Sequence, residues 1–171
     1  LRLTDGARFN AIAGPQDAAI SSAPVAAFGF LGSNPAAIAV QGSQLAVAEG
    51  QGISLVGGNL TVQGGTLADT TIQPARLSAP GGPINLIAVA SAGEVLTNAA
   101  AAPADPTLNG FTSLGTISLT QGADVHTSAH TAGRIVIRSG QFTMENARLE
   151  ASATATAPTS PPSASSAGGI S

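Results

Sequence analysis

Asp124, His126 and Ser128 supply an acid, a base and a hydroxyl at alternate positions of ADVHTSA, the residue types of a proton relay. Alternate residues of an extended segment share a face, so all three would look the same way. That geometry also works against them. Same-face neighbours on a strand stand about 6.6 Å apart, whereas proton transfer needs roughly 2.6–3.2 Å. A straight strand cannot join Ser128 to His126 by itself, and the three read as outward polar residues. His126 and His130 have the i, i+4 spacing that serves zinc on a helix, but the intervening Thr127-Ser128-Ala129 does not favour a helix and no third ligand is evident. Thr154-Ala155-Thr156 has the form of an ice-binding row, in one copy and inside a proline-rich stretch. Asn59-Leu60-Thr61 fits a glycosylation sequon, although beside Gly57-Gly58 the simpler reading of Asn59 is a turn residue. No residue is assigned a catalytic, cofactor-binding or metal role, and no enzyme is expected.

Composition points the same way. A sugar-cleaving enzyme on a coil of strands needs clustered carboxylates or a basic group beside a sugar platform. Here the acidic residues are dispersed, and Lys, Trp and Tyr are absent. The six basic residues are all Arg and scattered, with a net charge of −3, so no stripe exists to neutralise phosphates and nucleic acid is not an expected partner. No run approaches the roughly 18 apolar residues of a membrane helix, and no signal-peptide pattern is seen. Cys is absent, which suits a chain threaded unfolded through a pore out of an oxidising compartment, where a disulfide would lock a loop. The 171 residues are enough for one domain, but with 9% charged and 3% aromatic residues a conventional core would be thin.

The elements that must position any side chain are short strands. In GISLVGGNLTVQGGTL, Gly52 to Leu67, the anchors Ile53, Leu60 and Leu67 fall seven residues apart with Gly57-Gly58 and Gly64-Gly65 between them. A coiled coil shares that spacing, but each Gly costs about 1 kcal/mol relative to Ala inside a helix, whereas at a corner its tolerance of positive φ makes it cheap. Ile38 and Leu45 open the pattern, and Ile135, Phe142 and Leu149 repeat it. The expectation is a coil of parallel strands, roughly 20–25 residues per turn and five or six turns, stabilised by stacking between neighbours. Its inward set is Ile53, Leu60, Leu67, Ile84, Leu86, Ile117, Leu119, Ile135, Ile137 and Phe142.

Three regions follow. Residues 1–37 form an entry or capping segment, with turns at Asp5-Gly6 and Gly14-Pro15, and with Phe28 and Phe30 covering one end or flank of the coil. Residues 38–153 are the coil itself, interrupted by a corner excursion or partly formed turn at 68–82 and an exposed loop at 97–111. Residues 154–171 are a Ser/Thr/Pro-rich loop and the start of a further turn. Leu1-Arg2-Leu3 and Gly168 to Ser171 read as strands cut from a longer precursor, whose exposed edges would promote end-to-end association.

The words LRLTDGARF, SAPVAAFGFLGSNPAAIAVQGSQL, ISLVGGNLTVQGGTL, ARLSAPGGPINLIAVASAGEV, LGTISLTQGADV and GRIVIRSGQF closely resemble the filamentous-haemagglutinin-like exoproteins of two-partner secretion, particularly the large cyanobacterial-type versions. The resemblance runs in order over most of the chain. It implies a right-handed parallel β-helix (β-solenoid) with extruding loops, secreted or displayed on the outer surface of a Gram-negative bacterium. It also implies export through an outer-membrane β-barrel transporter, and a role in adhesion, aggregation, biofilm or an extracellular filament. The family's amino-terminal secretion signal, with its Asn-Pro-Asn-Gly-Ile words, would lie upstream of Leu1, so these residues would be the start of a shaft. A carbohydrate- or protein-binding module, with its site on the loops at 97–111 and 154–169, is the alternative.

Overall fold

The computed structural model describes residues 1–10, 14, 21–68, 70–97 and 106–154. Among them there is no helix, and the fold is all-β. In chain order the strands are β1 (Arg2–Leu3), β2 (Val25–Phe30), β3 (Ile38–Gln41), β4 (Gln44–Ala46), β5 (Ile53–Gly57) and β6 (Leu60–Gln63). Next come β7 (Gly65–Thr66), β8 (Ile72–Gln73), β9 (Arg76–Ser78), β10 (Ile84–Ala88), β11 (Gly93–Leu96) and β12 (Thr107–Asn109). The last are β13 (Thr116–Thr120), β14 (Asp124–His126), β15 (Ile135–Arg138), β16 (Gln141–Glu145) and β17 (Arg148–Glu150).

Eleven of these strands form three parallel sheets. The first sheet is β3-β6-β13-β16, the second β4-β9-β14-β17 and the third β5-β10-β15. The chain visits them in a fixed cycle, first, second, third and back to the first, so that each circuit lays one strand against the strand of the circuit before. Registers align like with like. Ile38, Leu60, Ile117 and Phe142 form one row, Leu45, Leu77, Val125 and Leu149 another, and Ile53, Ile84 and Ile135 a third. These rows meet in one core cluster, where Leu60, Val62, Leu77, Ile84, Leu86, Ile117, Leu119 and Val125 are buried. The seven-residue spacing thus arises from side chains that occupy successive faces of one circuit.

The expected inward set needs two corrections. Leu67 is 47% exposed, because residues 65–73 leave the circuit as the hairpin β7–β8, and its expected row is filled by Leu77. Phe142 stands in the correct row but is 39% exposed, since β16 is the last strand of its sheet and no further described strand covers it. Ile135 and Ile137 lie on the third sheet's last strand, partly buried against the core. The described residues make four circuits, the last incomplete, rather than five or six, because the hairpin and a longer excursion lengthen the second circuit.

That excursion carries the second correction of the strand plan. Part of the loop expected at 97–111 is strand β12, which pairs antiparallel with β11. The sheet β1-β2-β11-β12 packs beside the third parallel sheet, where Ile87, Val89 and Val95 are buried with Phe30, Val56, Leu108, Phe111 and Leu114 around them. Both faces of β10 are therefore covered and all five of its residues, INLIA, are buried, as expected of a strand enclosed on both sides. Phe30 covers the flank, its ring 6.1 Å from that of Phe111, while Phe28 is more open to solvent. The turn at Asp5-Gly6 is present, with Gly6 at φ +87°; the signal at Gly14-Pro15 falls largely outside the described residues.

The glycine corners have a different physical cause from the one expected. Gly58 and Gly64 do not adopt positive φ. Instead a Cβ on either would lie 2.2 Å from a carbonyl oxygen of an adjacent circuit, Pro35 for Gly58 and Gln121 for Gly64. Where circuits stack at about 4.8 Å there is no room for a side chain turned toward the neighbouring backbone.

Candidate functional site

The second parallel sheet presents a polar outer face. Leu77, Val125 and Leu149 turn into the core, so the residues on either side of each turn out. Parallel register places them in two columns: Gln44, Arg76, Asp124 and Arg148 in one, and Ala46, Ser78, His126 and Glu150 in the other. Charge alternates along the first column, and the Arg76 Nε donates to Asp124 Oδ2 at 3.1 Å. Arg148 pairs with Glu150 on β17.

Within this face the structure brings a hydroxyl within hydrogen-bond reach of the imidazole, which a single strand cannot do. The Oγ of Ser78, on β9, lies 2.8 Å from Nε2 of His126, on β14. The other ring nitrogen, Nδ1, lies 3.6 Å from Asp124 Oδ2. Side chains of Asp124 and His126 are 18% and 24% exposed, so the group is half-sunk in the sheet yet reachable from solvent. Asp124 Oδ1 is buried with no hydrogen-bond partner among the described residues, an arrangement that costs free energy.

Ser128, the hydroxyl that the sequence offered, is not part of the group. Its Oγ accepts a hydrogen bond from the Ser152 backbone N–H at 3.2 Å. Ser78 was missed because it sits in a different word of the sequence, ARLSAP; the signal that finds it is the alignment of ARLS with ADVH as equivalent strands of adjacent circuits. His130 lies beyond β14 in a bend, exposed, and no group of three or more metal-ligating side chains occurs among the described residues. Asn59 serves the turn, its Oδ1 accepting from Thr116 N at 2.9 Å across to the next circuit. Thr154 hydrogen-bonds to the Ala129 carbonyl, and Thr156 falls outside the described residues, as do most of the loops at 97–111 and 154–169.

A second charged group belongs to the flanking sheet. Arg2 donates to Glu94 at 2.9 Å, tying β1 to β11 across β2. That hydrogen bond, with smaller electrostatic contributions from Arg2, Arg8 and the amino terminus, holds the Glu94 carboxyl below its ordinary range. Beside it Leu1, Arg8, Phe9, Phe30 and Leu31 line an open cleft of about 320 Å³.

No protein-family model matches this chain, and no match was found among curated proteins or solved structures.

Proposed function

We propose that this chain is a structural and adhesive shaft segment of a secreted or surface-displayed bacterial exoprotein, wound as a right-handed parallel β-helix. The observation that carries the reading is the cyclic visit to three parallel sheets with aliphatic residues aligned row on row. A repeated circuit of this kind can be lengthened without redesign, because each circuit needs only its neighbours. Such a rod suits holding something away from a cell better than enclosing a substrate. The sequence resemblance to two-partner secretion exoproteins supports the same assignment. It brings with it an extracellular or outer-surface location, export through an outer-membrane β-barrel transporter, and contact with a glycan or protein of a host, cell or matrix.

End-to-end association belongs to this reading. β16 is exposed at all five positions, with Phe142 and Met144 uncovered, and no described strand pairs with its outer edge. Edges of that type recruit strands. Sedimentation across a concentration series should show association of the 171-residue chain. A monomer at high concentration, with β3 and β16 protected from hydrogen exchange, would speak against it.

Displaying the chain on a non-adherent Gram-negative cell tests the function. Increased aggregation or retention on a glycan array is expected. Release of reducing ends from a polysaccharide would replace the shaft with an enzyme.

A further inference from the structure

We infer that Ser78 is a nucleophilic hydroxyl: with His126 as its base and Asp124 as the residue positioning that base, it forms an acyl-transfer site for small activated carboxylic esters. This goes beyond the shaft reading and does not depend on it.

Geometry comes first. The Ser78 Oγ to His126 Nε2 distance of 2.8 Å lies within the range for proton transfer. A carboxylate facing Nδ1 favours the tautomer with its proton there, which leaves the Nε2 lone pair to accept from the Ser78 hydroxyl. Arg76 fixes the carboxylate by donating to the same oxygen, Oδ2, that faces the ring. All the backbone involved is locked, because Arg76–Asp124, Leu77–Val125 and Ser78–His126 are consecutive register pairs, with Leu77 and Val125 fully buried between them. The relay is thus held by two rigid strands rather than by loops.

Access and charge come next. The register partner of Ser78 on β4 is the small residue Ala46, while Glu150 on β17 is the partner of His126 on the other side. The imidazole contacts Ser78 on β9 and Asp124 on its own strand, and the charged register neighbours around the pair are Arg76 on β9 and Arg148 and Glu150 on β17. The backbone donors nearby are committed, as when Ala79 N–H donates to the His126 carbonyl at 3.1 Å. Stabilisation of an oxyanion would fall to the half-exposed Arg76 guanidinium, which lies two residues from Ser78 on the same strand and pairs with Asp124, rather than to a pair of backbone N–H groups. With that weaker stabilisation the site suits esters whose leaving group departs readily, not amides.

In the reaction the Ser78 oxygen forms a bond to the ester carbonyl carbon as its proton passes to Nε2. The tetrahedral oxyanion collapses, the carbon–oxygen bond to the leaving group breaks, and that group takes the proton from Nε2. Water then attacks acyl-Ser78, giving a proton to His126, which returns it to the Ser78 oxygen as the carboxylic acid leaves.

The test uses the intact chain with a fluorophosphonate probe and 4-nitrophenyl acetate. One phosphonyl adduct is expected, mapped by mass spectrometry to Ser78, together with ester turnover. Ser78→Ala should lose the adduct, His126→Gln should slow labelling about 100-fold with an unchanged circular dichroism spectrum, and Ser128→Ala should behave as the parent. Asp124→Asn should slow labelling about ten-fold or more and alter the pH profile, which a merely structural role would not do. Adducts spread over several serines, or absence of an adduct on Ser78, would overturn the proposal. Mapping on the unaltered chain decides the matter even where a variant fails to fold.

Discussion

The parallel circuits and the antiparallel sheet on their flank bury apolar surface by different means. In the circuits each row is built from side chains of similar kind, such as Leu45, Leu77, Val125 and Leu149, and burial is most complete where circuits above and below both contribute. Leu60 and Ile117, in the middle of a row, are 1% and 0% exposed, whereas Phe142 at its end is 39% exposed. On the flank, burial rests on a few bulky contacts, Phe30 with Phe111 and Val95 with Ile87, and on the Arg2–Glu94 pair. A defect in a circuit should therefore spread to its neighbours, whereas a defect on the flank should release one sheet and leave the stack in place.

Replacing Leu60 by Asp breaks the comparison at its strongest point. A carboxylate would be buried between Ile38 and Ile117 without a partner, and a loss of about 4 kcal/mol or more is expected, enough to abolish the cooperative urea transition. Retention of β signal and of that transition would show that the rows are not coupled.

Gly82→Ala attacks the same stack through the backbone. The added Cβ would meet the Gln51 carbonyl at 1.9 Å, and Gly133 sits in the same way on Gly82, so two junctions between circuits share the strain. A destabilisation of about 2–3 kcal/mol is expected, with hydrogen-exchange protection falling in β5, β10 and β15 together. Loss confined to β10 would argue against stacking as the source of stability.

Phe111→Ala sharpens the flank side. It removes the ring beside Phe30 and should cost about 2 kcal/mol, with faster exchange in β1, β2, β11 and β12 and little change in the first and second parallel sheets. Simultaneous loss of all sheets would mean that the flank is part of the cooperative unit.

The smallest effect is on pH. Because the folded-state pKa of Glu94 is depressed, its contribution is present above the unfolded carboxylate value and is lost as pH falls through the lower folded value. Acid titration should loosen β1 against β11 before the circuits respond, and Glu94→Gln should remove that early transition. An identical acid profile in the variant would show that the pair does not hold the flank.

How much could be read without coordinates depends on the range of the interaction. Short-range signals were sufficient for the regularly alternating strands, though not for β9 or β12, which fell in an expected excursion and an expected loop. Alternating aliphatics in ISLV, LTVQ, ISLT and IVIR marked strands and their inward faces correctly, because side-chain direction follows from backbone geometry alone. The sequence did not show which strand lies on which. Leu67 kept the seven-residue spacing yet belongs to a hairpin, and only the pairing of Leu77 with Leu45 and Val125 shows which residue fills the row. The corner glycines were recognisable, but crowding by a neighbouring circuit, not φ, makes them necessary. The flank was hidden for the same reason: Ile87 and Val89 point away from the circuit interior, and only the excursion through β11 and β12 covers them. For the candidate site, His126 and Asp124 were visible as neighbours on one strand, while Ser78 lies 48 positions away. Sequence by itself determined that this chain would be short strands carrying small, aliphatic side chains inward, since local propensity and periodicity carry that information. Tertiary structure decided which circuits meet, and so which serine faces the histidine, because register between distant strands is fixed by the packing of the whole stack.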